Sequence, residues 1–330
     1  MISVNVAVIG MGLIGGSLVR ALAAAGHWVT GWDLDPSTRA MARTGAAQAP
    51  RESRWRVAPS IADAVSSVEL LVIATPLTAV ASVLDEVAAA GFTGLVTDVV
   101  SVKEPVRELV ARRLRGGGVR LAGYVGGHPM AGRETAGFAA TDPGLFSGCA
   151  WALCLDAETS LPEWLTLARL LTGLSARVVP TTSEDHDRVV AAISHVPHLL
   201  AVALATAVAD PLAATLAAGS FRDGTRVAAS APDLTAAMCG GNAAHVLDAL
   251  DAVLGDLDQA RDALDSDDPI ATLRRWAAPA HAARISWPRG WGDERSVPAT
   301  VDDLLALGDD GGWITAVSPD GRSVTSARPV

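Results

Sequence analysis

Cysteine is scarce in this chain. Three residues, Cys149, Cys154 and Cys239, are too few and too scattered for a disulfide framework, and no CxxC pair suggests a metal site. Free thiols in a reducing compartment account for them more simply. Basic runs are missing too. The net charge is −10, and the one locally basic stretch, ARRLR (111–115), closes a predicted helix, where cations are favourable anyway. A nucleic-acid surface is therefore not expected. No apolar run reads as a membrane span, because the Ala-rich segment 189–209 is interrupted by His195, Pro197 and His198. The opening MISVNVAVIG has no charged leader and passes straight into a strand pattern, so no signal peptide is expected. Together these absences predict a cytoplasmic protein with no metal, nucleic-acid or membrane partner.

What is present is apolar and ordered in blocks. The 330 residues are 50% hydrophobic, enough for two domains with large cores. VNVAVIG (4–10) is a short β-branched run, as a buried parallel strand should be. It leads into GMGLIGGSL, a helical pattern that ends at Gly26, and a second strand, WVTGWD, that ends at Asp33. Gly10, Gly12 and Gly15 match G-x-G-x-x-G between strand and helix. In that setting each glycine has a purpose: a tight turn, close approach of a pyrophosphate, and close helix–strand packing. Gly12, Leu13 and Ile14 open the helix whose N-terminus would meet the phosphates. Asp33 can accept hydrogen bonds from both ribose hydroxyls and would repel a 2′-phosphate. The expected cofactor is NAD; NADP stays possible through Arg39.

The alternation continues through the strand ELLVIATP (69–76), a helix closed by Gly91, the strand GLVTDVVS (94–101), and a helix begun by Pro105. A doubly wound sheet binds ligands outside the carboxyl ends of its strands. Thr75 and Pro76, Ser101 and His128 all fall at or just beyond such ends. His128 lies in YVGGHPMAGRETAGF (124–138), a glycine-rich stretch that also carries Arg133 and Glu134. The expectation is an imidazole presented to the nicotinamide.

From about residue 160 the strand pattern gives way to long apolar helices. Helices this apolar must bury against something, and packing on a second copy predicts a homodimer. Ser183 is a plausible N-cap for the helix that contains SHVPHLL (194–200). His195 and His198 share a face of it, as core histidines or as a metal pair without a third ligand. Pro197 should kink it. In GSFRDGTRVAAS (219–230), Arg222, Asp223 and Arg226 form either an exposed ion pair or a carboxylate-binding group.

GLIGGSL, DVVSVK, GGHPMAGRE, SHVPHLL and FRDGTRVAAS, in that order over residues 4–260, resemble the prephenate/arogenate dehydrogenases of tyrosine biosynthesis. The resemblance implies an α/β fold: an N-terminal Rossmann-type doubly wound sheet (1–155), then an all-α dimerisation domain (156–280) and a tail of unassigned role (281–330). It implies that His128 is the catalytic histidine, assisted by Ser101. Arg226 would grip a substrate carboxylate, flanked by Arg222 and Asp223. His198 and Glu134 would line the substrate pocket, while His186 would have a more structural role. The implied activity is NAD-dependent oxidative decarboxylation of prephenate, with arogenate as the alternative substrate. The family's pocket aromatic is replaced by Thr235. The tail does not resemble a regulatory amino-acid-binding domain, so any tyrosine inhibition is expected at the active site. Residues 160–330 contain no lysine, which counts against β-hydroxyacid dehydrogenases, since those use a catalytic lysine there. A non-catalytic dinucleotide sensor would keep the glycines and Asp33 but would not need His128, Ser101, His198 and Arg226 together.

Overall fold

A computed structural model of the chain describes residues 3–115, 121–132, 135–287 and 290–329. The first half is a run of alternating elements: β1 (Asn5–Ile9), α1 (Leu13–Ala24), β2 (Trp28–Trp32), α2 (Pro36–Gln48), β3 (Arg56–Val57), α3 (Ile61–Val65), β4 (Leu70–Ile73), α4 (Leu77–Ala89), β5 (Leu95–Asp98), α5 (Glu104–Val110) and β6 (Gly123–Val125). The six strands form one parallel sheet in the order β3-β2-β1-β4-β5-β6. Val6 and Val8 of β1, with Leu70 and Val72 of β4, face one core. Ala7, Ile9, Leu71 and Ile73 face the other. A parallel strand covered on both faces has to be apolar at every position, so these segments read as unbroken hydrophobic runs.

The first sheet ends in an abrupt handover. After β6 the chain passes through Gly126 into β7 (Gly127–Pro129), which belongs to a second sheet with β8 (Ala150–Cys154) and, after α6 (Leu161–Gly173), β9 (Arg177–Thr181). A Cβ on Gly127 would lie 2.8 Å from the Asp98 carbonyl oxygen at the end of β5. Only glycine lets the strand carrying His128 pass this close to the end of β5.

The strand pattern does not stop at residue 160. β9 follows it, and the tail adds β10 (Arg295–Pro298), β11 (Trp313–Val317) and β12 (Ser323–Ala327) to the second sheet, in the order β10-β12-β11-β9-β8-β7. β11 and β12 form an antiparallel hairpin around SPDGRS, and a short helix at Val301–Asp309 precedes it. RVVPT (177–181) escapes a sequence reading because it is short, half-buried in alternation and contains a proline.

Between β9 and the tail lie the helices: α7 (Ser183–Val190), α8 (Val196–Ala205), α9 (Pro211–Leu216), α10 (Gly219–Thr225), α11 (Pro232–Gly241), α12 (Ala243–Leu264) and α13 (Pro269–Ile285). Thr182, not Ser183, caps α7, accepting from the Asp185 N–H, while Ser183 bonds Asp156. Between α7 and α8, Ala191–His195 widen into a π turn immediately before Pro197. Such turns re-route hydrogen bonds around a missing donor and often mark functional positions. The interruption foreseen at His195, Pro197 and His198 does not break the run. Residues Ser183–Ala209 stay helical, and by length and composition they are apolar enough to cross a membrane. Few apolar side chains of this region are buried within the chain. Ala191, Val196 and Val246 form a small cluster, while Leu204, Leu216, Ile270 and Ile285 are exposed by more than half.

Candidate active site

The glycine turn after β1 forms as its sequence requires. Gly10 has φ +97°, and a Cβ there would collide with the Ala74 carbonyl at the end of β4. A Cβ on Gly15 would collide with the Gly10 carbonyl, so α1 can sit tight on β1 only with glycine there. Gly12 is the N-cap of α1. It provides no side-chain cap, and the first turn, with Leu13 and Ile14, carries no acidic residue. The helix N-terminus is therefore left to an anion from outside. Asp33, just past β2, accepts the Met11 N–H at 2.6 Å and the Asp35 N–H at 2.9 Å, which fixes its carboxylate beside this turn. Arg39 is held by the Asp33 and Leu34 carbonyls. Thr75, two residues beyond β4 and followed by Pro76 at the N-cap of α4, has a buried hydroxyl with no partner. β1 and β4 are the neighbours at which the strand order reverses. Anion-ready helix, acidic acceptor and unpartnered hydroxyl fit NAD at this switch point.

His128 lies in β7 and is partly buried. Its Nδ1 is 2.9 Å from His186 Nε2, with the rings edge to face. The His186 Nδ1 is 2.7 Å from Asp187 Oδ1. The same carboxylate accepts the backbone N–H of Lys103 at 2.8 Å and of Glu104 at 2.9 Å, at the start of α5. Lys103, the chain's one lysine, is fully buried. Its ammonium pairs with Asp98 and donates to the Gly127 carbonyl at 2.7 Å. Tyr124 completes the pair by donating its hydroxyl to Asp98 at 2.8 Å. Asn242 donates to the Asp187 carbonyl at 2.6 Å and lies 3.2 Å from His195 Nδ1. His195 is buried, and its Nε2 has no partner. The segment 98–104 thus holds the His128 strand from one side and the His186 helix from the other.

The other expected residues lie on separate elements. Ser101 lies in the 98–104 segment, partly buried, between Asp98 and Lys103. His198 is partly buried and donates from Nδ1 to the Ser194 carbonyl at 2.8 Å, which leaves its Nε2 free to accept. Arg222 and Asp223 form an exposed pair 3.5 Å apart on α10, and Arg226 follows in the next turn, which packs on α8. No hydrogen bond among the described residues joins these three to His128. Glu134 and Arg133 lie outside the described residues. His186, expected in a more structural role, contacts His128 directly, and Asp187, Lys103 and Asn242 are not singled out by the sequence. Asp187 follows His186 in EDHD, but such a doublet at a helix start looks like ordinary capping. A cavity of about 860 Å³ lies elsewhere, between α1, α2 and Phe138, and shares no residue with this site.

Burial holds the three imidazoles of this site below the ordinary 6.5. His128 falls well below it through burial, with the His186, Lys103 and His195 charges acting the same way. For His186, burial and Lys103 outweigh the Asp187 hydrogen bond. His195 is lowered to about 4, chiefly by burial. The unfolded chain protonates these rings near 6.5. Their contribution to stability is therefore complete above that pH and is lost as pH falls from 6.5 through the lower folded values. Each proton taken up on unfolding makes the loss about 1.4 kcal/mol per pH unit. Urea melts at about pH 7.5, 6 and 5 should show steadily falling stability. Equal stability at all three would mean the rings are not desolvated.

Two family models match the chain: the nucleotide-binding domain of prephenate dehydrogenase over residues 18–180 and its dimerisation domain over residues 182–277. The prephenate dehydrogenase of Bacillus subtilis (strain 168) is 30% identical over 319 residues, covering 94% of this chain and 82% of that protein. A Corynebacterium glutamicum chain described as a candidate prephenate dehydrogenase is 34% identical with a TM-score of 0.77, covering 88% of this chain and 91% of its own. The prephenate dehydrogenase of A. aeolicus, in complex with hydroxyphenyl propionate and NAD+, shares the fold at 22% identity and TM-score 0.74, covering 87% and 99%.

Proposed function

The chain belongs to the prephenate dehydrogenase family, and from that premise we propose that it converts prephenate to 4-hydroxyphenylpyruvate with NAD+. The observation that carries this reading is His128, a neutral imidazole anchored on His186 one glycine pair away from the nucleotide-binding sheet. The glycine turn, the start of α1, Asp33 and Thr75 would hold NAD+, which would supply the hydride acceptor for the substrate C4. His128 takes the proton from the C4 hydroxyl as its oxygen becomes a carbonyl; the ring carboxylate then leaves as CO₂, its bonding pair makes the ring aromatic, and the oxygen recovers the proton from His128 to become the phenol. A general base works best when it is neutral at the working pH, which burial ensures here. Ser101 assists at the hydroxyl. Arg226, with Arg222 and Asp223 beside it, meets a substrate carboxylate from the turn against α8, the helix of His198.

The resemblance puts an aromatic residue in many members where this chain has Thr235, and that keeps arogenate as the second reading. Reduced cofactor measured at about 340 nm, with prephenate or arogenate against NAD+ or NADP+, decides between them. Turnover with prephenate and NAD+ is expected. Turnover with arogenate alone would replace the substrate, and none with either would end the enzymatic reading. The exposed leucines and isoleucines of the helical half are covered by a second copy in a homodimer. Light scattering on the same preparation should give twice the 33.8 kDa chain mass; the single-chain mass would refute this. The proposed setting is the cytoplasm, supported by the free thiols of Cys149, Cys154 and Cys239. Oxidation of these thiols in protein taken from cells would count against it.

A further inference from the structure

We propose that Asp187 acts as a positioning residue that fixes the tautomer of His128 through His186. The inference builds on His128 as the base. It concerns which of the two His128 nitrogens is left with a lone pair, and the hydrogen bonds decide it link by link.

Asp187 is buried, which by itself would raise its carboxyl, but bonds from His186, the Glu104 N–H and the Lys103 N–H outweigh this and hold it low. It is therefore a carboxylate, which only accepts. The nitrogen facing it, His186 Nδ1, must carry the proton. His186 is neutral, so its second nitrogen, Nε2, has only a lone pair. That lone pair faces His128 Nδ1 at 2.9 Å, so His128 Nδ1 must be the donor. His128 is also neutral, so its proton is then spent on His186 and its Nε2 is an acceptor. An acceptor is what a substrate hydroxyl requires. Reverse any link and His128 would point N–H against O–H.

The surrounding groups keep this polarity. Asp187 is locked by two backbone N–H groups at the start of α5, so its carboxylate does not turn away from His186. Asn242 holds the Asp187 carbonyl and so fixes the helix that carries both residues. Lys103 adds a buried positive charge behind Gly127, which disfavours a proton on His128 until a substrate supplies one. When His128 does take that proton, the imidazolium donates to His186 and is supported by the Asp187 charge behind it. Asp187 itself stays ionised.

Nitrogen-15 NMR of histidine-labelled wild-type protein reads the tautomers without substrate and without mutation. At neutral pH His128 should show a protonated Nδ1 and a bare Nε2, and His186 the same. A protonated His128 Nε2 would overturn the proposal. Asp187→Asn should lower kcat by about 10²-fold or more, as expected when a base is held in the wrong tautomer, while KM changes less than about threefold. It should also shift the His128 signals. Unchanged kcat in a folded Asp187→Asn protein would refute the relay. His186→Leu leaves the Asp187 backbone bonds intact and serves where Asp187→Asn fails to fold; it should lose kcat similarly. His186→Gln, whose amide carbonyl can accept from His128 Nδ1, should recover about tenfold or more over His186→Leu. Equal rates in those two would refute the relay as well. Should His128 prove dispensable to turnover, the tautomer signals would stand unchanged and only the base assignment would fall.

Discussion

His128→Asn should lower kcat by about 10²–10⁴-fold while the protein stays folded and retains NAD+ binding. Loss of positioned acid–base assistance has that magnitude. Asparagine is close in size and can still donate an amide N–H to His186 Nε2, so the partner at 2.9 Å is not left unsatisfied. Its remaining atoms cannot take a proton at neutral pH. The hydride acceptor and the glycine turn are untouched, so cofactor affinity should hold within a few-fold. Wild-type turnover in this variant would show that His128 is not the base.

Lys103→Met should cost about 3–5 kcal/mol of stability, the range found when one partner of a buried ion pair is removed. Methionine fills similar volume, so the loss is electrostatic rather than a cavity. Among the described residues it leaves the fully buried Asp98 with the Tyr124 hydroxyl and the Val100 N–H to stabilise its charge. It also strips the Gly127 carbonyl of its donor, one residue before His128, so turnover should fall with stability. The double variant Lys103→Met with Asp98→Asn should be more stable than Lys103→Met alone, because the orphaned charge is gone. Urea unfolding monitored by circular dichroism measures both. A loss below about 1 kcal/mol in the single variant would mean that water reaches Asp98.

The parts of this protein that read easily from sequence are those whose signal is local. β1, the glycine turn and Asp33 follow from a run of adjacent residues, because a tight turn and a buried parallel strand each constrain their own stretch of chain. His128 was legible for the same reason, since its two preceding glycines announce a close backbone approach. Lys103, Asp187 and Asn242 were not. Each acts across a long sequence separation: Asp187 holds the Lys103 backbone 84 residues away, and Asn242 reaches 55 residues back. Nothing in VSVKEP marks its lysine as buried; lysines are almost always solvated. The contact of His186 with His128 is not legible either, because a histidine beside an aspartate at a helix start has an ordinary explanation until His128 is placed against it.

The second sheet is assembled from two separate stretches of the chain, 127–181 and 295–327, with the helices as an insertion between β9 and β10. Strand β9 runs straight into α7, where His186 sits, and its outer neighbour β11 leaves the ribosome only after every helix has been made. A strand synthesised after all of these helices therefore locks the foundation of a helix made long before. Closing so large a loop adds little to the equilibrium cost, since loop entropy grows only logarithmically. Its weight falls on timing: contacts of such long range form slowly. A nascent chain stalled before Trp313 would hold its nucleotide-binding sheet complete and its proton relay without a fixed base.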